Sequence, residues 1–129
     1  MDISGLNLLL VEDNELNAEI AKTMLSDEGA NLTVAEDGLQ AVRMFQEKPE
    51  GYFDAILMDI MMPVMDGFTA TKTIRSLKRP DAETIPIIAM TANAFREDKE
   101  KCLAAGMNAH LAKPVKIENV KKILCEYSV

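Results

Sequence analysis

Short apolar runs alternate with longer amphipathic stretches along this chain. Residues 6–11 are too few for a helix and are cut off by Glu12 and Asp13, so they predict a buried strand. From 15 to 28, Leu16, Ile20 and Met24 recur every fourth residue with Ala21 and Leu25 beside them. That spacing predicts a helix carrying an apolar stripe, ended by Gly29. Residues 32–35 read as a second strand, and Leu39, Val42 and Phe45 stripe a second helix that stops near Pro49. Residues 55–58 make a third strand. A helix follows Asp66 and Gly67, with Asp66 as its N-cap and Phe68, Ile74 and Leu77 at helical spacing. Pro80 and Pro86 bracket an expected loop, and 87–90 form a fourth strand. A helix over 97–105 is capped by Gly106, 109–112 make a fifth strand, and 116–127 close as a helix with Val120, Ile123, Leu124 and Tyr127 on one face.

Five strand–helix units in succession predict a parallel sheet covered on both faces, because parallel strands need crossovers and these are usually helical. Continuous apolar strands agree, since alternation would mark one wet face. No linker, repeat or low-complexity segment interrupts the pattern, so residues 1–129 read as one α/β domain. The length of 129 residues suits that size class, in which roughly two-thirds of the unfolded surface is buried without a staple.

Charge narrows the function. Fourteen basic and 21 acidic residues leave a formal net charge of -7, which a phosphate backbone would repel, so nucleic acid is not expected as a partner. Cys102 and Cys125 have no metal-site or disulfide spacing and read as two thiols of a reducing compartment. No apolar run reaches the about 18 residues of a membrane helix, and Met1-Asp2-Ile3-Ser4 does not resemble a signal peptide. The expectation is a cytoplasmic chain without direct membrane contact.

In open α/β sheets the binding crevice lies outside the carboxyl ends of the strands. The polar residues at those ends are Glu12 and Asp13 after strand one, Asp59 after strand three, Thr91 after strand four and Lys113 after strand five. Three converging carboxylates repel one another unless a cation neutralises them, and oxygen donors without His or Cys suit Mg²⁺. A carboxylate can act as a covalent nucleophile toward phosphorus, and phosphoryl transfer mainly needs positioned charge. Taken singly, Asp13 reads as a loop acid or cap, Thr91 as a strand residue and Lys113 as a surface lysine. An acid closing the apolar run 55–58 is harder to dismiss, because its burial without a partner is costly.

The motifs Leu10-Val11-Glu12-Asp13-Asn14, Met58-Asp59-Ile60-Met61-Met62-Pro63-Val64-Met65-Asp66-Gly67, Met90-Thr91-Ala92 and Lys113-Pro114 stand in the order and spacing of the receiver (response regulator) domains of two-component signalling, which the chain resembles over nearly its whole length. The resemblance implies a flavodoxin-like (βα)5 fold with a doubly wound parallel sheet of strand order 2-1-3-4-5. It implies that Asp59 accepts a phosphoryl group from a phosphohistidine, and that Glu12, Asp13, Asp59 and the Met61 main-chain carbonyl serve Mg²⁺. Thr91 and Lys113 would then engage the bound phosphate, and the Lys113–Pro114 bond would be cis. The chain is most similar to receivers fused to hybrid sensor histidine kinases. The implied partners are a histidine kinase or a histidine phosphotransfer domain docking on Leu16, Asn17, Ile20 and Ala21.

Where the family carries Tyr or Phe as a rotameric switch, this chain has His110, read as a half-exposed strand-end ring rather than a phosphoryl carrier. Met61 and Asn93 flank the site without a strong acid or base, which predicts a persistent phosphoryl group. The chain is not expected to be an enzyme beyond its own Asp phosphorylation and slow dephosphorylation. The alternatives are a stand-alone regulator or a degenerate receiver serving only as an interaction module. An aspartate-nucleophile phosphohydrolase would carry a second acid two residues after the nucleophile, where Met61 stands.

Overall fold

A computed structural model of the chain describes residues 3–60, 62, 64–91, 96–113 and 115–127, with the side chains of 96–99 left out. Five strands, β1 (Asn7–Val11), β2 (Asn31–Ala35), β3 (Ala55–Asp59), β4 (Ile87–Thr91) and β5 (Ala109–Ala112), form one sheet in the order β2-β1-β3-β4-β5. Every pairing is parallel. Among the described residues the helices are α1 (Glu15–Asp27), α2 (Gly38–Glu47), α3 (Gly67–Arg75), α4 (Pro80–Thr84), α5 (Arg96–Ala105) and α6 (Ile117–Tyr127). This is the flavodoxin-like arrangement that the resemblance implied.

Alternation along the strands divides the core in two. Leu8, Leu10, Leu57, Ile88, Met90 and Leu111 face α1 and α6, packing on Leu25, Val120 and Leu124. Leu9, Val11, Ile56, Met58, Ile87 and Ala89 face the opposite side, packing on Phe45, Ile74 and Cys102 of α2, α3 and α5. All residues of β3 and β4 are buried, as central parallel strands require. Burying each Leu or Ile there contributes about 1.5–3 kcal/mol.

Local signals explain the boundaries. Asn14, Asp37 and Asp66 cap α1, α2 and α3, each side chain accepting from the N–H three residues on. Gly29 and Gly106 follow α1 and α5 at φ values of +93° and +105°, a region that favours glycine.

Two expectations are corrected. The segment between Pro80 and Pro86 is not wholly loop: Pro80 opens the short helix α4, its fixed φ suiting a first helical turn. In α1 the buried residues are Ala18, Ala21 and Leu25, so Ala21, expected among the partner contacts, packs in the core instead, while Leu16 and Ile20 are 69% and 58% exposed. Among the described residues, no helix is long and apolar enough to cross a membrane.

Candidate functional site

The sheet reverses its winding between β1 and β3, and the crevice outside their carboxyl ends is where the acidic residues fall. Ladder hydrogen bonds continue past the strands and fix the main chain there. The Glu12 N–H donates to the Ala35 carbonyl at 3.0 Å and the Lys113 N–H to the Thr91 carbonyl at 2.8 Å. Glu12, Asp59 and Lys113 extend the alternation of Leu10, Leu57 and Leu111, so their side chains share one face of the sheet.

The Lys113 ammonium lies between the two buried acids. Its Nζ donates to Glu12 Oε2 at 2.9 Å, to Glu12 Oε1 at 3.2 Å and to Asp59 Oδ2 at 2.9 Å. Burial opposes its charge most strongly, but the hydrogen bonds and charges of Glu12 and Asp59 prevail and hold its pKa above the ordinary lysine value. Asn17, on the first turn of α1, adds a donor from Nδ2 to Glu12 Oε1 at 3.3 Å. Asp13 is exposed at the mouth, and Asn14 rather than Asp13 caps α1, so the Asp13 carboxylate is not spent on the helix.

One carboxylate oxygen each of Glu12, Asp13 and Asp59 lies within 4.8 Å of the others. The three carboxylates outnumber the Lys113 ammonium, so positive charge is in short supply among these four groups, with Glu12 and Asp59 each only 3% exposed. A hard divalent cation supplies that missing charge and takes all-oxygen ligands. The residues therefore fit Mg²⁺ by charge and donor type. Such a site can bind a phosphoryl oxygen through its cations while presenting a carboxylate to phosphorus.

The structure brings together Glu12, Asp13, Asp59 and Lys113. Thr91 ends β4, 3% exposed, and the register pairs Asp59 with Met90, one residue before it. His110 is half-buried, as expected, but lies within β5 opposite Ala89 rather than at the strand's carboxyl end. Met61, Asn93 and Pro114 lie outside the described residues, and with them the main-chain ligand and the cis bond. Leu16 and Ile20 are exposed on α1. Beside Ile20 opens a groove of about 310 Å³ lined by Leu10, Ala21, Met90 and Val115, with Glu12, Asn17 and Lys113 at its polar end. Sequence reasoning missed the groove and the Asn17–Glu12 bond. The five-residue spacing of that pair across a strand–helix turn was the available signal.

The sequence profile of the response regulator receiver domain matches residues 8–125. The chain is 41% identical over 128 residues to the osmosensing histidine protein kinase SLN1 of Saccharomyces cerevisiae, covering 96% of this chain and 10% of that protein. It is 38% identical to the probable histidine kinase 1 of Oryza sativa, covering 93% of this chain and 15% of that protein. The receiver domain of a Pseudomonas aeruginosa sensor histidine kinase, solved with magnesium coordinated in its active-site cleft, superposes with a TM-score of 0.84 at 44% identity, covering 96% of this chain and 98% of that one. The receiver domain of the Saccharomyces cerevisiae response regulator Ssk1, solved with the histidine phosphotransfer protein Ypd1, gives 0.83 at 30% identity over 95% of this chain and 88% of that one. This chain spans between 6% and 15% of the length of the first curated relatives it matches. It belongs to the response regulator receiver domain family and is a receiver domain of two-component phosphorelay signalling.

Proposed function

We propose that Asp59 is the phosphoacceptor of this receiver, taking a phosphoryl group from a phosphohistidine. The observation that carries the reading is the convergence of Glu12, Asp13 and Asp59 within 4.8 Å, with the Lys113 ammonium bonded to Glu12 and Asp59. An Asp59 oxygen forms the new bond to phosphorus as the nitrogen–phosphorus bond of the donor breaks, and the released imidazole takes a proton from solvent. Glu12, Asp13 and Asp59 would hold Mg²⁺, with Met61 contributing the main-chain carbonyl that the resemblance implies. That ion would supply positive charge to the transferring phosphoryl oxygens. Lys113, already in contact with Asp59, stays protonated and neutralises the charge that arrives. The Thr91 hydroxyl donates to the same oxygens, shifting the balance of conformations around β4 and α5.

The phosphodonor is a histidine kinase or a histidine phosphotransfer domain seated on α1. Exposed Leu16 and Ile20 and the adjoining groove support this reading, as do the relatives named for hybrid histidine kinases and the receiver solved with Ypd1. We read the chain as the single receiver unit of a cytoplasmic relay, most simply a module of a hybrid histidine kinase. It catalyses its own phosphorylation and loses the group slowly. The test is native intact mass after incubation with acetyl phosphate, with and without Mg²⁺, beside Asp59→Asn. A Mg²⁺-dependent gain of one phosphoryl group, absent in the variant, is expected. No gain from either acetyl phosphate or a phosphorylated histidine protein would overturn the reading.

A further inference from the structure

The loop from β3 to α3 leaves the site at Asp59 and is tied down by two main-chain hydrogen bonds. The Gly67 N–H donates to the Ile60 carbonyl at 3.2 Å, and the Gly38 N–H, at the start of α2, donates to the Met65 carbonyl at 3.2 Å. At both points the chains approach more closely than a side chain permits. A Cβ on Gly67 would lie 2.4 Å from the Asp59 carbonyl oxygen, and one on Gly38 would lie 2.4 Å from the Met65 carbonyl oxygen and 3.0 Å from the Ala70 Cβ. Neither glycine has a positive φ, so both are there for space rather than conformational freedom.

Between the two ties stands Val64, a β-branched residue at φ +66° and 78% exposed. Such a conformation persists only where the surroundings over-determine it, and functional sites are where it collects. Val64 is too exposed for its own packing to set that conformation, and the two ties bracket it in the chain. The Gly67 tie is local to the loop. The Gly38 tie is different: it joins the loop to α2, an element that contributes no ligand to the site.

We propose that Gly38 is a positioning residue, whose contact with Met65 anchors the chain between Asp59 and α3 and so helps hold Asp59 where it binds a divalent cation together with Glu12 and Asp13. The inference rests on the cation reading given above. If the contact biases the loop toward the binding shape, cation binding must strengthen the contact in return, because such coupling is reciprocal. Supporting partners of metal ligands typically shift metal affinity without touching the ion.

The experiment measures Mg²⁺ affinity by titration calorimetry for the wild type, Gly38→Ala and Gly106→Ala. The last variant strains a left-handed residue at the opposite end of the sheet and serves as a destabilised control away from the site. Gly38→Ala should bind Mg²⁺ about tenfold more weakly, the size typical of a lost supporting contact, while Gly106→Ala binds as the wild type does. In parallel, amide hydrogen exchange on the wild type should show the Gly38 N–H slowed by saturating Mg²⁺. Wild-type affinity in Gly38→Ala would overturn the proposal. If that variant does not fold, a Gly38 amide that exchanges equally with and without Mg²⁺ overturns it instead. A wild type that binds no Mg²⁺ overturns the cation reading along with it, which separates the two failures.

Discussion

Asp59→Asn should make the protein more stable when no divalent cation is present. The Asp59 carboxylate lies within 4.8 Å of both Glu12 and Asp13, and at an effective dielectric near 20 each repulsion costs at least about 3.5 kcal/mol. Its attraction to the Lys113 ammonium at 2.9 Å returns about 5.7 kcal/mol on the same scale. The repulsions exceed the attraction by about 1 kcal/mol, and the dehydration of a carboxylate only 3% exposed adds to that side. An asparagine keeps an oxygen for Lys113 to donate to and removes the charge. The expected gain is about 1–2 kcal/mol, or about 3–6 °C in thermal midpoint for a domain of this size. Thermal melts followed by far-ultraviolet circular dichroism in EDTA measure it. In excess Mg²⁺ the wild type should rise by about 2.7 kcal/mol at a hundredfold excess over its dissociation constant, and the variant by less. The difference between the two should therefore narrow or reverse. A variant melting at or below the wild type in EDTA would refute the claim that the acids are held against net repulsion.

Three further outcomes follow from other parts of the molecule. Arg75→Met should cost about 2–3 kcal/mol in urea denaturation, because it removes charge-assisted hydrogen bonds to the Gly106 and Ala82 carbonyls and to Asn108 Oδ1 while keeping the alkyl stem. Hydrogen bonds from Arg79 and from the Gly51 N–H hold the Asp81 carboxyl below its usual pKa, so its contribution is present above the unfolded value and lost as pH falls through the folded one. Asp81→Asn should then cost about 1–2 kcal/mol at pH 7, and the gap to the wild type should close below about pH 4, read from urea midpoints across pH. Leu16→Asp should leave the melt within about 0.5 kcal/mol, since the side chain is 69% exposed, yet lower the rate of phosphotransfer from a phosphohistidine protein relative to acetyl phosphate.

Strands were the most legible elements, because central parallel strands must be apolar on both faces and residues 55–58 and 87–90 have no other use for such runs. The carboxyl-end rule then gathered Glu12, Asp13, Asp59 and Lys113 before any coordinates, since it needs only the strand order along the chain. Contacts that depend on how elements meet stayed hidden. Arg75 joins α3 to the turn before β5, 31 residues away, and the local sequence around it is that of a solvated helix face. Gly38 reads as one helix-start glycine among several until the Met65 carbonyl is seen against it. The short helix α4 was lost between two prolines, each a breaker by local rules, although the first of them opens a helical turn.

Helix α1 is the more instructive case. Periodicity finds an apolar stripe of Leu16, Ile20 and Met24 but does not say whether the sheet or a partner covers it. The sheet takes Ala18, Ala21 and Leu25. Folding of this domain therefore accounts for the inner face of α1 but supplies no packing reason for the size of the outer one. The unexplained side chains stand beside a groove whose polar end is Glu12 and Lys113, within reach of the cluster where phosphoryl transfer is proposed. Under the proposed function a donor histidine must reach the buried Asp59, and the exposed Leu16 and Ile20 of α1 would give that donor something apolar to grip. If Asp59 accepts from a docked histidine protein as proposed, docking on this face would explain the size of the exposed Leu16 and Ile20, which burial in the fold does not.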